Sequence, residues 1–267
     1  MPTIELEHVS KFYKPKRRQW GGPRQIVGVA DVNINISQGE FVFVVGSSGS
    51  GKSTLLSLIA GQSKPSQGKV YVDQKDLSRT MKLSRNRAAT MFGKIWQDPT
   101  LIRKRTIWEN LVLAARIAYG KEDPRIVDVR VKKVLGLVGI KGVEEKYPVE
   151  LSLGEVRRVE LARALIGSPP VLILDEITAN LDDDSIWDTL HLLNDLNRHG
   201  TTIIMATHDS QYVNILRRRV ITLSGGRVQG DVENGKYGDV VGKDQIPHKQ
   251  SRFDIKTINS KNLRRRS

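Results

Sequence analysis

No cysteine occurs anywhere in the chain, which excludes a disulfide framework and makes a reducing cytoplasm the simpler setting. Long hydrophobic runs are missing as well. The longest, such as FVFVV at 41–45, fall far short of the ~20 apolar residues that a membrane-spanning helix needs. The opening MPTIELEHVS alternates polar and apolar residues, where a signal peptide would carry a charged segment and then an apolar one. Hydrophobic residues make up 39% of 267 and mean hydropathy is −0.35. That balance suits a water-facing surface around one large core or two small ones. Acid is scarce: 29 Asp and Glu face 43 Lys and Arg, a formal net charge of +14.

The excess of positive charge is localised. From Lys11 to Arg24 there are six basic residues and no acidic one, and from Lys243 to Ser267 eight basic residues against two acidic. The span 25–242 is close to neutral, so the charge belongs to a loop and a tail. Attraction to an anionic membrane surface is one reading of these ends, and a solvated flexible end is the other.

Coarse patterning gives the grammar of a parallel α/β sheet. TIELEHVSKFY is expected as an edge strand, KPKRRQWGGPR as a loop, GVADVNINI as a half-buried strand and GEFVFVVG as a fully buried one. STLLSLIAG has helical spacing. TIWENLVLAARIAYG and DPRIVDVRVKKVLGLVG fit two amphipathic helices, the second opened by Asp123 and Pro124. Buried strands return at VLILDE, TTIIMAT and RVITLSGG, with the helical segment DDSIWDTLHLLNDLNRHG between the first two. In PVELSLGEVRRVELARAL, Val159, Ala162 and Ile166, with Leu161 and Leu165 beside them, place one stripe of a helix against a core. The segment from about Asp231 lacks periodicity and is expected outside the core.

Between the buried strand and its helix lies Gly46-Ser47-Ser48-Gly49-Ser50-Gly51-Lys52-Ser53, a full match to G-x-x-x-x-G-K-[ST]. Glycines let backbone N–H groups curl around phosphate, and the helix N-terminus adds its dipole. Lys52 suits the β- and γ-phosphates, and Ser53 suits Mg²⁺. VLILDEIT carries Asp175 to the end of a buried strand with Glu176 beyond it. Asp175 fits the metal, and Glu176 fits a general base that polarises the attacking water.

Further motifs follow in a fixed order: Gln97 in KIWQDP, LSLGE at 151–155, ANLD ending at Asp182, and His208 in ATHD. Together, across about residues 1–230, they resemble the ATP-binding cassette (ABC) ATPases. The resemblance implies an α/β fold with a P-loop NTPase (RecA-like) core, an antiparallel β subdomain and an inserted α-helical subdomain at roughly 98–162. Residues 231–267 would form a basic tail. It also implies ATP and Mg²⁺ as ligands. Thr54 and the phosphate loop would hold nucleotide, and Gln97 would contact the metal near a transmembrane partner. Ser152 and Gly154 of the signature, with Asp182, would face the ATP of a second copy, and His208 would contact the γ-phosphate. Tyr13 stands where the family places an aromatic ring on adenine, with Phe12 and Trp20 as alternatives.

A single phosphate loop and a single signature imply one nucleotide-binding subunit, acting as a homodimer with a separate integral membrane protein at the inner face of the cell membrane. Nucleic acid is the minor alternative, since neither a second cassette nor a long coiled coil is present. GEFVFVVGSSGSGKSTLL, LDEITANLD and TTIIMATHDSQYVNILRRRVITLSGGRV are similar to the FtsE subfamily of cell-division ATPases. That likeness implies an FtsX-like membrane partner and control of cell-wall hydrolases. The Asn180-Leu181-Asp182 ending is shared with lipoprotein-release and macrolide-export ATPases, which stay as the alternative. Two positions depart from the group pattern: Ile177 where proline is usual, and Leu153 where the signature has glycine.

Overall fold

The structure is a computed structural model that describes residues 3–14, 25–77 and 90–240. Its larger sheet has six strands in the order β10-β9-β3-β8-β7-β6, with β3 (Phe41–Val45), β6 (Phe92–Ile95), β7 (Val171–Asp175), β8 (Thr202–Ala206), β9 (Arg219–Ser224) and β10 (Arg227–Val232). Neighbours pair in parallel from β9 through β6, and β10 runs antiparallel on β9. Strands β3, β7 and β8 are buried along their whole length, because helices cover both faces of a parallel sheet. Their C-terminal ends lie side by side, and there the sequence places its phosphate loop, its acidic pair and His208.

A second, antiparallel sheet has the order β2-β1-β4-β5, from β1 (Ile4–Tyr13), β2 (Ile26–Ile36), β4 (Gln67–Val72) and β5 (Lys75–Asp76). Here one expectation is corrected. Strand β1 is not an edge: Ile4 pairs with Ile36 on one side and with Val72 on the other. The second neighbour is QGKVYV, whose Gly68 has φ +80°, and a Cβ there would stand 2.3 Å from the His8 carbonyl oxygen. Only glycine lets the two backbones come this close. Helix α1 (Lys52–Ile59) lies between the sheets, and its Leu55, Leu56 and Ile59 join Ile4, Val29 and Val44 in one core.

The other core lies under the helices. Between β6 and β7 the chain forms α2 (Ile107–Tyr119), α3 (Pro124–Leu137), a 3₁₀ turn (Pro148–Glu150) and α4 (Leu153–Leu165), followed by α5 (Asp183–Arg198) and α6 (Ser210–Leu216). Each of the long helices here starts on a side-chain cap, of which only the one on α3 was expected from the sequence. Thr106 and Glu109 form a capping box on α2, Asp123 precedes Pro124 on α3, and Ser152 and Glu155 form a capping box on α4. Val159, Ala162 and Ile166 are buried as their spacing implies. The same helix also buries Arg157 and Glu160, which a hydrophobic pattern cannot reveal.

The expected boundary near Asp231 falls inside β10. Beyond that strand, Gly235 N–H donates to the Arg218 carbonyl at 3.0 Å, Tyr237 N–H to Asn214 Oδ1 at 2.8 Å, and the Thr222 hydroxyl to the Asp239 carbonyl at 2.8 Å. Residues 235–240 are thus a strap tied to β9 and α6. The basic segments at 15–24, with Trp20, and at 243–267 lie outside the described residues.

Candidate functional site

The phosphate loop leaves β3 through Gly46 (φ +148°) and enters α1 through Gly51 (φ +108°). A Cβ at Gly46 would lie 2.2 Å from the Leu223 carbonyl oxygen, and one at Gly51 would lie 2.4 Å from that of Gly28. No side chain caps α1, so its first-turn N–H groups are available to an anion. Lys52 opens the helix. Its ammonium is 5% exposed and donates to the carbonyls of Gly46 at 2.8 Å and Ser47 at 3.2 Å.

Next to β3 across β8, strand β7 delivers the acidic pair. Asp175 is 3% exposed, and burial pushes its carboxyl above the usual carboxylate range against a hydrogen bond from Ser53. Its Oδ1 has no hydrogen-bond partner among the described residues. A buried carboxylate oxygen without a donor, beside a serine hydroxyl at the foot of a phosphate loop, fits the donor set of Mg²⁺, which takes one or two carboxylates among its oxygen ligands and fills its shell with phosphate and water.

Glu176 sits in the left-handed region (φ +51°), with its N–H bonded to the Ala206 carbonyl. This backbone turns its carboxylate back toward the loop. Oε1 lies 3.7 Å from Lys52 Nζ, and Oε2 lies 3.2 Å from His208 Nδ1. A strained φ held by a main-chain hydrogen bond at a site of charged groups is where strain commonly serves function.

A cleft of about 630 Å³ is lined by Tyr13, Gly28, Ser48, Gly49, Gly51, Lys52, Ser53, Thr54, Gln97, Glu176 and His208, with Asp175 buried behind Ser53. At its far end the Tyr13 hydroxyl is 3.4 Å from Thr54 Oγ1, and a Cβ at Gly28 would stand 2.7 Å from the Tyr13 ring. Phe12, one residue earlier, does not line the cleft, as alternation along a strand requires. The other alternative, Trp20, lies outside the described residues.

The ABC transporter family model matches residues 29–179, more than half of the chain. The chain belongs to the ABC transporter family. It is 36% identical over 235 residues to the cell division ATP-binding protein FtsE of Bacillus subtilis (strain 168), a match covering 88% of this chain and 98% of that one. FtsE of Mycobacterium tuberculosis is 39% identical over the same length, with 88% and 98% covered. The dimeric post-hydrolysis structure of the ATP-binding cassette MJ0796, bound to ADP and Pi, superposes with a TM-score of 0.79 at 31% identity, covering 88% of this chain and all of that one. The protein is an ABC ATPase subunit that binds ATP, and its fold is the cassette expected from its motifs.

In this ABC subunit the remaining sequence-derived residues stand away from the cleft. Ser152 and Gly154 begin α4. The Ser152 hydroxyl donates to Glu155 Oε2 at 2.8 Å and accepts from the Glu155 N–H at 3.3 Å. Asp182 likewise caps α5, accepting from the Ser185 N–H at 2.9 Å, and those bonds hold its carboxyl below the usual range. The two caps are close in space, since a Cβ on Gly154 would meet Ser185 Oγ at 3.8 Å and Leu181 Cδ2 at 3.9 Å.

The sequence reasoning missed three groups. Tyr237 of the strap packs partly buried against the core under the helices, and burial pushes its pKa up, with the charges of Glu176 and Asp209 adding to the rise. Asn110, buried in α2, binds the Ile102 N–H through Oδ1 at 2.8 Å and donates to the Thr106 carbonyl at 2.9 Å. It thereby shapes the turn that carries Arg103 and Arg105. Lys94 on β6 is half-buried, and desolvation pushes its pKa down. A lysine within FGKI was the available signal for that last group.

Proposed function

We propose that this subunit hydrolyses ATP as a head-to-tail dimer, in which each ATP lies between the phosphate loop of one copy and Ser152, Gly154 and Asp182 of the other. The observation that carries the reading is the Glu176 carboxylate, set between Lys52 Nζ at 3.7 Å and His208 Nδ1 at 3.2 Å on the cleft wall. Glu176 takes the proton of the attacking water, work that typically contributes ~10²–10⁴-fold in rate. His208 orients that carboxylate and meets the γ-phosphate. Lys52 exchanges the Gly46 and Ser47 carbonyls for phosphate oxygens, and Tyr13 stacks on adenine. Ser53, Asp175 and Gln97 would hold Mg²⁺, which would supply charge neutralisation at the phosphates. ATP binding closes the dimer, and hydrolysis opens it.

The complex we infer is FtsE-like: an FtsX-like integral membrane protein at the inner face of the cell membrane, through which ATP cycling controls cell-wall hydrolases. Similarity to FtsE over nearly the full length of those proteins supports it. So does a second cleft of about 290 Å³ between β6 and α2, lined by Lys94, Ile102, Asn110, Leu113, Ile117 and Arg163. Exposed Ile102, Leu113 and Ile117 suit the apolar face of a partner helix. Lys94 meets no carboxylate among the described residues, so an acidic residue on that helix would complete it.

The test is to purify tagged Glu176→Gln from solubilised membranes. It should retain ATP, lose turnover by two orders of magnitude or more at about the general-base contribution, and bring down an FtsX-like membrane protein. Arg103→Glu, next to Ile102 on the rim of that second cleft, should release that partner while the isolated subunit still hydrolyses ATP. Wild-type turnover by Glu176→Gln overturns the mechanism. A partner with a large extracytoplasmic export domain reassigns the complex to lipoprotein or macrolide export.

A further inference from the structure

Three charged side chains of α4 point at one short segment. Arg157, Glu160 and Arg163 follow one another at i, i+3 and i+6, so they share a helix face. Glu160 is fully buried and Arg157 is 8% exposed. Arg157 donates to the Trp96 carbonyl at 3.0 Å, to the adjacent Gln97 carbonyl, and to Glu160 Oε2 at 2.8 Å. Glu160 Oε1 accepts from the Thr100 N–H at 2.7 Å and the Thr100 hydroxyl at 3.1 Å. Arg163 donates to the Thr100 carbonyl at 2.7 Å and to the Thr100 hydroxyl, and its Nη2 lies 3.7 Å from Glu160 Oε1. Both ends of the segment 96–100 are therefore pinned to α4 through main-chain groups.

The arrangement is more than an internal ion pair. Two charges could neutralise each other anywhere on a helix surface, with most of their hydrogen bonds left to water. Here the guanidinium of Arg157 spends two donors on consecutive carbonyls, one of them that of Gln97, whose side chain lines the nucleotide cleft. The anchoring helix starts at Ser152, Leu153 and Gly154, little more than one turn before Arg157. One rigid connection thus spans from the cleft wall of one copy to the surface offered to the other.

We infer that Arg157, Glu160 and Arg163 act as a brace that makes the Gln97 segment and the Ser152–Gly154 helix start move as one body, so that nucleotide contact at Gln97 sets the helix start for closure on a second copy. They are positioning residues, and none of them touches nucleotide. The inference rests on the head-to-tail reading above.

The experiment uses the full chain in the Glu176→Gln background. Arg157→Met/Glu160→Leu removes both charges together and keeps side-chain volume, which buried pairs commonly tolerate. Two quantities are measured: ATP affinity at concentrations where the chain is monomeric, and ATP-dependent dimerisation by sedimentation. The expected result is ATP affinity close to the parent with dimerisation weakened about ten-fold or more, the size of a typical coupling between sites. The Mg²⁺ concentration for half-maximal dimerisation should rise with it. Arg157→Lys, which keeps the charge but loses the planar fork that serves Glu160 and both carbonyls at once, should fall in between, and it carries the test alone if the double variant does not fold. Dimerisation equal to the parent in a folded variant overturns the brace alone. A parent that fails to dimerise with ATP overturns the head-to-tail reading and the brace with it.

Discussion

At the scale of single residues, Asp175 shows a site residue working against the fold. Burial raises its carboxyl pKa, so the folded chain holds this proton more tightly than the unfolded chain does. The sign follows: stability from this group is greatest below the ordinary carboxylate pKa, falls as pH rises through the folded value, and the full penalty is present at pH 7. Asp175→Asn should therefore raise the melting temperature of the protein at pH 7 without nucleotide or Mg²⁺, by about 2–4 °C for each kcal/mol relieved. The gain should shrink near pH 4, and stabilisation by Mg²⁺ with ATP should disappear. An unchanged or lower midpoint at pH 7 refutes the burial account. Leu153 poses a different conflict. It is 40% exposed at the first position of α4, with Tyr147 and Val149 exposed shortly before it in the chain, so its side chain stands on the surface that the proposed dimer offers to the second copy. Gly154 and the cap of Ser152 are intact behind it, and we propose that Leu153 acts as a brake on closure. Leu153→Gly should increase ATP-dependent dimerisation and turnover several-fold while lowering stability by roughly 0.5–1 kcal/mol, the usual effect of glycine in a helix. Equal dimerisation and turnover would make the leucine neutral.

At the scale of elements, legibility followed whether a signal was contiguous in sequence. FVFVV, VLILD and TIIMA are strands because burial on both faces leaves a continuous apolar run with a polar residue only at an end, and such a run is visible in one dimension. The phosphate loop and Asp175-Glu176 were readable for the same reason: chemistry and spacing sit within a few neighbours. Three features were not. Strand β1 gained its second partner from QGKVYV only because Gly68 permits close approach. The charges of α4 are buried because they satisfy one another and the carbonyls of 96–100, which looks polar in sequence. The strap at 235–240 is held by Asn214 Oδ1, the Arg218 carbonyl and Thr222 Oγ1, and such bonds leave no hydrophobic period. The strap carries a prediction at its own scale. A chain ending at Val240 should match the full chain in melting temperature and ATPase, whereas one ending at Glu233 should lose both, since it removes the bonds to Asn214, Arg218 and Thr222 and the packing of Tyr237. Tyr237→Phe should lower kcat with ATP KM little changed. A chain ending at Glu233 with full activity would reduce the strap to packing.

At the scale of the whole molecule, the question is why a nearly neutral cassette carries strongly basic segments. Six positive charges lie between Lys11 and Arg24, and a net excess lies beyond Lys243. The first segment joins Tyr13 to Ile26, two residues of the nucleotide cleft rim. The second follows the strap, which ends beside β9 and β10 at the same sheet edge as Gly230. No helix among the described residues is long and apolar enough to cross a membrane; in the complex proposed above, attachment would come from the partner, from these charges, or from both. Each Lys or Arg close to anionic lipid contributes on the order of 1 kcal/mol, and screening at about 8 Å in physiological salt confines the effect to segments that reach the surface. Closure of a dimer presents both sets of basic ends at once, so lipid attraction should be stronger in the ATP-bound state than in the monomer, as linked sites act at raised effective concentration. The protein should sediment with anionic vesicles at low salt, more so as Glu176→Gln with ATP, and should be released as salt rises. Removing 243–267 should abolish most of this binding and leave ATP hydrolysis intact. Vesicle binding that survives the deletion, or that is the same with and without ATP, would assign membrane attachment to the docked partner alone.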